Sequence, residues 1–163
     1  RLISCDVTEN RVQLIAKAVE RMGFTACVET LCNDASRPNP KLPQADRILV
    51  DAPCSGLGIL AKKPDIRYKD PKELAELPAI QSAILNNAAA YVRPGGVLVY
   101  STCTVLPEEN EDVTGDFLDK HPEFEPVRTA FPLPVGPCPG QVTLWPQRHG
   151  TDGFYICRMR RKD

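Results

Sequence analysis

The sequence predicts an α/β protein in which a mostly parallel sheet carries helices on both faces. Two observations indicate this class. Short apolar runs of strand length alternate with longer segments whose apolar residues recur at helical spacing. Near the carboxyl end, residues 142–145 and 154–159 form two further apolar runs, which we interpret as an antiparallel pair closing the sheet.

The amino-terminal elements are a strand, a helix and a second strand. Residues 2–6 form an apolar run that ends in Asp6. Thr8 is placed to cap the helix that follows, and Gly23 is placed to stop it. The second strand is predicted over 26–32, ahead of a loop rich in proline.

The middle of the chain predicts two more strands with helices between them. Residues 47–51 form the third strand, and Asp70 with Glu73 gives a capping-box pattern around a proline. Pro78 divides the helical region into a short and a longer helix, which the segment Pro94–Gly95–Gly96 ends. The fourth strand is predicted over 97–101.

The last third of the chain begins with an acidic helix. Pro107 is placed to open this helix, which runs to about Lys120. The segment 122–140 is rich in proline and is interpreted as irregular. The antiparallel pair then follows.

Polar or reactive residues follow the predicted strands at the points where they end. These residues are Asp6, Asp34, Asp51 and Cys103. Ligands of open α/β sheets bind outside the carboxyl ends of the strands. A lone aspartate after a strand is more often a turn residue, but four such ends in succession favour one shared crevice.

Composition limits the class of protein. The chain has 163 residues and a formal net charge of −1, so it shows no overall basic excess for nucleic acid. Lys62, Lys63, Lys69 and Arg67 form a local basic cluster, for which a solvated face is an equally open interpretation. No apolar run reaches 18 residues, so we expect no transmembrane helix and no membrane partner.

Cysteine usage points to a reducing compartment. The seven cysteines are an odd number, which argues against a secreted disulfide framework. The chain has no C-x-x-C pair, so we expect no structural metal site. Reduced thiols in a cytoplasmic protein fit best.

Two motifs carry a family resemblance. Asp51-Ala52-Pro53-Cys54-Ser55-Gly56 is followed some way along the chain by Ser101-Thr102-Cys103-Thr104. With them the chain resembles the RsmB/Sun-type RNA 5-methylcytosine methyltransferases, which have a Rossmann-like class I methyltransferase fold. Further matches lie at 63–67, 93–96, 107–111 and 149–154.

The resemblance implies a cofactor, a substrate and roles for particular residues. The methyl donor would be S-adenosyl-L-methionine and the partner RNA, possibly ribosomal in the members that look nearest. Cys103 would add to carbon-6 of cytosine, and Cys54 would assist when the carbon-5 proton leaves and the enzyme–RNA bond breaks. Asp51 would contact ring nitrogen 3 and lie beside the cofactor.

Other residues acquire roles from their matched positions. Asp6 would accept hydrogen bonds from the ribose of the cofactor, and Asp34 would meet its adenine end. His149 and Asp152 would shape the floor of the site, with structural packing equally open. Lys62, Lys63 and Arg67, which follow the Cys54 loop, are interpreted as contacts to the phosphates around the target base.

The chain departs from the family at its amino end. The glycine-rich cofactor loop and the first strand of the sheet are absent, so we expect one truncated catalytic domain over 1–163 with exposed strand edges and weak cofactor binding. A non-catalytic RNA-binding remnant is therefore the alternative. A methyltransferase acting on amino nitrogens would usually show N/D-P-P-Y/F where this chain has D-A-P-C, and a thiol redox or metal protein would show C-x-x-C.

Overall fold

A computed structural model describes residues 1–132 and 135–163, with the side chains of Pro71 and Glu73 outside the description. The chain divides into two compact units, residues Arg1–Lys41 and Leu42–Asp163. The prediction of one catalytic domain over the whole chain stays a prediction. No described helix is long and apolar enough to cross a membrane.

The first unit contains two parallel strands and one helix. Strand β1 spans Leu2–Asp6, helix α1 spans Glu9–Arg21, and strand β2 spans Val28–Cys32. The register pairs Leu2 with Val28 and Asp6 with Cys32. Helix α1 contacts both strands.

Thr8 occupies the cap position of α1 without capping it through its side chain. Its hydroxyl donates to Asp6 Oδ1 at 3.0 Å, and its backbone N–H donates to the same oxygen at 2.9 Å. The expectation of a side-chain cap at Thr8 is therefore wrong, because the preceding carboxylate engages the hydroxyl first. Gly23 ends the helix region with φ at +76°, as expected for glycine.

The second unit is built on a mixed sheet. Its strands are β3 (Ala45–Asp51), β4 (Val92–Thr102), β5 (Phe124–Pro126), β8 (Gln141–Leu144) and β9 (Phe154–Arg161). The order is β3-β4-β9-β5, and β8 also pairs with β9. Strands β3 and β4 are parallel, whereas β9 is antiparallel to β4, β5 and β8. The mixed α/β sheet and the antiparallel carboxyl-terminal pair are confirmed.

The segment 94–96 does not end a helix as expected, because it lies inside β4. The register shifts there, so that Ala45 pairs with Val92 while Arg47 pairs with Val97. Gly95 has φ at +72°, which lets the chain bulge without leaving the sheet. The longer helix ends earlier, at Ala89.

The helices of the second unit are α2 (Pro71–Ala75), α3 (Leu77–Ala89), α4 (Glu111–Lys120) and α5 (Pro146–His149). Short 3₁₀ turns span Leu57–Ile59, Pro64–Tyr68 and Pro107–Glu109. Asp70 caps α2 by accepting from Lys72 N at 2.9 Å, and the Glu73 half of the predicted capping box lies outside the described side chains. Pro107 opens a 3₁₀ turn, so the α-helix starts at Glu111 rather than at the proline.

The segment 122–140 is less irregular than its prolines predict. Besides β5 it contains two very short paired strands, β6 (Thr129–Ala130) and β7 (Pro137–Cys138). Strand β5 pairs with the end of β9, with Phe124 opposite Arg161. Because this pairing partner comes late in the chain, local composition could not reveal it.

The core lies between the sheet and helices α3 and α4. Its fully buried members include Leu85, Leu98, Tyr100, Phe117 and Tyr155. The rings of Tyr100 and Tyr155 meet edge to face, with their centroids 6.2 Å apart. This core fixes β4, and β4 in turn carries the loop that contains Cys103.

Candidate active site

Two cysteines meet at the carboxyl ends of two adjacent parallel strands. Asp51, the last residue of β3, lies opposite Ser101 of β4, and the following loops carry Cys54 and Cys103. The two Sγ atoms are 3.1 Å apart. The backbone N–H of Cys103 also donates to Cys54 Sγ at 3.3 Å. The structure thus brings together the two thiols that the motifs single out.

Glycines allow the Cys54 loop to take its path. Gly56 has φ at +79°, a left-handed conformation that favours glycine. Gly58 N donates to Cys103 O at 3.0 Å, and Gly153 N donates to Gly58 O at 2.8 Å. A Cβ on Gly58 would lie 2.0 Å from Gly153 O. Only two glycines can therefore meet at this point, and their contact braces both cysteine loops.

A layer of buried polar residues lies beneath the loops. Each has at most 2% of its surface exposed: Ser55, Gln81, Thr102, Thr104, Glu109 and Asn110. The hydroxyl of Ser55 donates to Thr104 Oγ1 at 2.8 Å, which links the two loops directly. Sequence reasoning treated Glu109 and Asn110 only as part of a matched motif, so their contacts to the loops were missed.

The two thiols have different surroundings. Burial, and after it the contact with Cys103, raises the pKa of Cys54 to about 12. At neutral pH Cys54 is therefore a neutral thiol that can donate its proton toward Cys103 Sγ. A donor at that distance stabilises negative charge on the second sulfur, which is the charge that a nucleophilic thiolate carries.

Asp51 is exposed at the end of β3. Its Oδ1 accepts a hydrogen bond from Ser101 Oγ at 3.2 Å, and the structure gives no partner to Oδ2 within the described residues. One carboxylate oxygen is thus held by the neighbouring strand while the carboxylate remains accessible.

Asp6 and Asp34 lie at one edge of the first unit. Asp6 ends β1, and Asp34 follows the end of the parallel strand β2. Hydrogen bonds from Thr8 lower the pKa of Asp6, and hydrogen bonds from Ser36 lower the pKa of Asp34. Both carboxylates are therefore ionised at neutral pH.

All four members of the basic cluster are exposed, and two of them are held by contacts within the chain. Lys62 Nζ pairs with Asp152 Oδ2 at 2.6 Å, and Lys69 Nζ donates to Ser55 O at 2.9 Å. Lys63 and Arg67 are exposed. Tyr68 lies between Arg67 and α2 along the chain. It is 82% exposed, and the sequence pattern did not single it out.

The motif at 149–154 makes local contacts at His149 and long-range contacts at Asp152 and Gly153, which reach the segment after Cys54. His149 Nδ1 accepts from Trp145 N at 2.8 Å inside the short helix α5, while Gly153 makes the contact with Gly58. The expectation that His149 and Asp152 shape the floor of the site stays a prediction. Within 1–132 and 135–163, no group of three or more His, Cys, Asp or Glu side chains is arranged to hold a metal ion.

Comparison with known proteins identifies relatives along nearly the whole chain. The family model described as 16S rRNA methyltransferase RsmB/F matches residues 1–160. A probable ribosomal RNA small subunit methyltransferase B from Bacillus subtilis is 43% identical over 98% of the chain. The ribosomal RNA small subunit methyltransferase B of Thermus thermophilus is 38% identical, also over 98% of the chain.

The chain spans only 37% of the Bacillus protein and 39% of the Thermus protein. Among solved structures, NSun6 from Pyrococcus horikoshii with SFG matches with a TM-score of 0.80 and 30% identity, over 99% of this chain and 41% of that one. The N-methyltransferase NodS from Bradyrhizobium japonicum, in complex with S-adenosyl-L-homocysteine, has a TM-score of 0.56 at 15% identity, which shows likeness of fold alone.

Proposed function

The chain belongs to the 16S rRNA methyltransferase RsmB/F family, and on that premise we propose that it carries the catalytic residues of an RNA cytosine-5 methyltransferase. S-adenosyl-L-methionine is the methyl donor, and the RNA is ribosomal. The observation that carries the proposal is the 3.1 Å distance between the sulfurs of Cys54 and Cys103. Two thiols at the ends of adjacent strands suit a covalent mechanism better than a purely binding role.

The chemistry explains the need for a thiol. Carbon-5 of cytosine is a poor nucleophile, and covalent catalysis replaces one difficult step by two easier ones. Cys103 Sγ forms a bond to carbon-6, and the electron pair of the 5,6 double bond then makes carbon-5 nucleophilic. Asp51, exposed beside the loop, hydrogen-bonds ring nitrogen 3 as negative charge develops on the ring.

The last step restores the base. The proton on carbon-5 leaves, its bonding electrons re-form the 5,6 double bond, and the bond from Cys103 Sγ to carbon-6 breaks. Cys54, which lies within hydrogen-bond distance of Cys103 Sγ, assists this elimination. Its raised pKa keeps it protonated in the free enzyme, which leaves Cys103 as the attacking sulfur.

The cofactor supplies an electrophilic methyl group on a sulfonium sulfur. The residues present fit such a ligand in chemical type, because Asp6 and Asp34 offer ionised carboxylates at adjacent strand ends. Asp6 Oδ2 has only a loose 3.6 Å contact with the exposed Arg11, so it remains able to accept from a ribose hydroxyl. The family match and the solved NSun6 structure with SFG, an analogue of the methyl donor, support this cofactor.

The RNA would approach over the exposed residues after the Cys54 loop. Lys63 and Arg67 offer positive charge to phosphates, and the exposed ring of Tyr68 offers a face on which a base can stack. The target cytosine has to leave its stack to reach Cys103. A positive and aromatic surface beside the thiols fits that requirement.

The test uses the protein in its natural full length with radiolabelled methyl donor and ribosomal RNA. We expect the wild type to label cytosine, Cys103→Ala to give neither methylation nor adduct, and Cys54→Ala to accumulate a covalent RNA adduct. Cys138→Ala, a change at a half-buried cysteine away from the site, serves as the matched control and should behave like wild type. Methylation by Cys103→Ala at the wild-type rate would show that the nucleophile is misassigned.

A further inference from the structure

Two consecutive buried residues lie beneath the cysteine loops, where the 3₁₀ turn 107–109 meets α4. Glu109 is 2% exposed and Asn110 is fully buried. We infer that Glu109 and Asn110 are positioning residues that set the distance between the thiols of Cys54 and Cys103. Their importance for catalysis rests on the proposed function, whereas the distance itself is measurable without RNA or cofactor.

Asn110 holds the Cys103 loop on both sides of the cysteine. Its Oδ1 accepts from the hydroxyl of Thr102 at 2.5 Å, and its Nδ2 donates to the carbonyl of Thr104 at 3.1 Å. The residue before Cys103 and the residue after it are thus tied to one side-chain amide. The backbone of Cys103 has little freedom to rotate between these two contacts.

Glu109 holds the Cys54 loop in a corresponding way, with help from Gln81 of α3. Glu109 Oε2 accepts from the backbone N–H of Ser55 at 2.9 Å. Gln81 Nε2 donates to the same oxygen at 2.8 Å and to the carbonyl of Pro53 at 2.8 Å. The peptide groups on both sides of Cys54 are therefore held by this pair of side chains.

The pair is itself anchored to the core. The hydroxyl of Tyr100, near the carboxyl end of β4, donates to Glu109 O at 2.7 Å. Thr114, one turn into α4, donates from its hydroxyl to Asn110 O at 3.1 Å. The backbone of both residues is thus fixed to the sheet and to α4, so a displacement of either side chain would be passed directly to a cysteine loop.

Burial of the polar side chains of Glu109 and Gln81 costs folding free energy that a purely structural contact would not require. Glu109 Oε1 and Gln81 Oε1 are buried, and the structure gives neither a hydrogen-bond partner within the described residues. Native proteins rarely leave such atoms unsatisfied, and a buried carboxylate costs free energy that an apolar pair would avoid. Placement of the loops, rather than stability, accounts for these two residues.

The thiol distance can be measured by disulfide formation in glutathione buffers. In this reaction Cys54 and Cys103 lose two protons and two electrons, and one glutathione disulfide is reduced to two glutathione molecules. The full chain is equilibrated, quenched with acid and alkylated, and the Cys54–Cys103 peptide is quantified by mass spectrometry. Cys54→Ala identifies the correct peptide.

The variants change single contacts. Asn110→Asp removes the donor to Thr104 O, and Glu109→Leu removes the oxygen that accepts from Ser55 N and from Gln81 Nε2. The matched controls carry the same changes at sites that do not touch the loops. Asn86→Asp alters contacts with Ser82 and His121, and Glu111→Leu removes a contact with Thr143.

We expect Asn110→Asp and Glu109→Leu to lower the equilibrium constant for this disulfide by about tenfold or more, and the controls to stay within about twofold of wild type. In the full-length enzyme the same variants should lower kcat with KM unchanged, because positioning of the nucleophile affects the reacting step. Equal disulfide equilibria in variants and controls would overturn the inference without affecting the proposed activity.

A folding defect would be detected separately by circular dichroism. If Asn110→Asp does not fold, Thr102→Val breaks the same contact from the side of the loop, and the same tenfold loss is expected of it. A folded Thr102→Val variant with a wild-type equilibrium constant would equally overturn the inference.

Discussion

At the scale of single residues, the two sulfurs of the site are alike in chemistry and different in surroundings. Cys54 is half-buried and accepts the backbone N–H of Cys103 at 3.3 Å. Burial raises its pKa from an ordinary value of 9.0 to about 12. The surroundings of Cys54 therefore set the pKa of this thiol in a way that the motif by itself does not show.

The pKa of Cys54 predicts a pH dependence of stability. A thiol is neutral when protonated, so a raised folded pKa means that the unfolded chain ionises first. The stabilisation is fully present below pH 9 and is lost as the pH rises toward 12. Relative to Cys54→Ser, wild type should lose on the order of 1 kcal/mol more between pH 8.5 and 10.5, a value reduced for solvent screening of a partly exposed group.

Urea unfolding of the reduced chain at a series of pH values measures this difference. Cys27→Ser, a change at an exposed thiol, is the matched control and is expected to follow the wild-type curve. If the Cys54→Ser and wild-type curves stay parallel through this range, the proton on Cys54 is not held more tightly in the folded state.

The sequence singled out Cys54, Cys103 and Asp51 because each lies in a short motif, and the structure places them at the ends of two adjacent strands while their catalytic roles stay predictions. The sequence was not sufficient to find Glu109 or Asn110 as supports of the loops. Their partners lie up to 54 positions away, and only the fold brings them together. Tyr68 was missed for another reason, since an aromatic residue after a basic segment is normally expected to pack rather than to be exposed.

At the scale of elements, the cysteine loops depend on a backbone contact with the start of β9. Gly58, in the 3₁₀ turn 57–59, and Gly153 approach so closely that a Cβ on Gly58 would lie 2.0 Å from Gly153 O. Backbone atoms cannot move aside as a side chain can. This contact therefore fixes the Cys54 loop to the antiparallel pair.

We predict that Gly58→Ala lowers the free energy of unfolding by roughly 3 kcal/mol and also lowers kcat, since the overlap has to move a cysteine loop. Gly115→Ala is the matched control. Gly115 lies inside α4 with open space around it, so alanine should stabilise the helix by about 0.5–1 kcal/mol. Urea unfolding of both variants tests this pair, and equal stabilities for Gly58→Ala and wild type would contradict it.

Element type was more predictable than element boundaries. The two strands and the helix of residues 1–32 follow apolar periodicity closely, because these elements are adjacent in the chain and pack directly against one another. By contrast, the glycine pair at 95–96 suggested a turn, yet pairing with β3 keeps the chain in the sheet as a bulge. The short strand β5 was not expected because its partner β9 lies more than thirty residues away.

At the scale of the whole molecule, charge is distributed unevenly rather than in excess. The net charge is −1, and several surface cations are neutralised locally, including Lys62 by Asp152. Lys63 and Arg67 remain exposed beside the Cys54 loop. We therefore predict that only a few cations contact the RNA and that these cations lie close together.

Replacing Lys62, Lys63 and Arg67 by alanine should weaken binding of single-stranded RNA and reduce the magnitude of its salt slope by about 1.4, the value expected for two lost phosphate contacts, because Lys62 already pairs with Asp152. Arg93→Ala with Lys120→Ala is the control. Arg93 is at the opposite end of β4 from Cys103, and both control cations are in ion pairs with aspartates. An unchanged affinity and slope in the triple variant would place the RNA elsewhere.

The position of β9 within the sheet also affects when the cysteine loops can take their final positions during synthesis. This strand lies between β4 and β5, and its pairing joins distant parts of the chain. During synthesis both cysteines leave the ribosome well before Gly153, whose backbone braces the Cys54 loop. A nascent chain that ends before Gly153 contains both thiols but lacks the contact that holds the Cys54 loop in place. Cys54 and Cys103 are therefore brought together only after translation has passed Gly153.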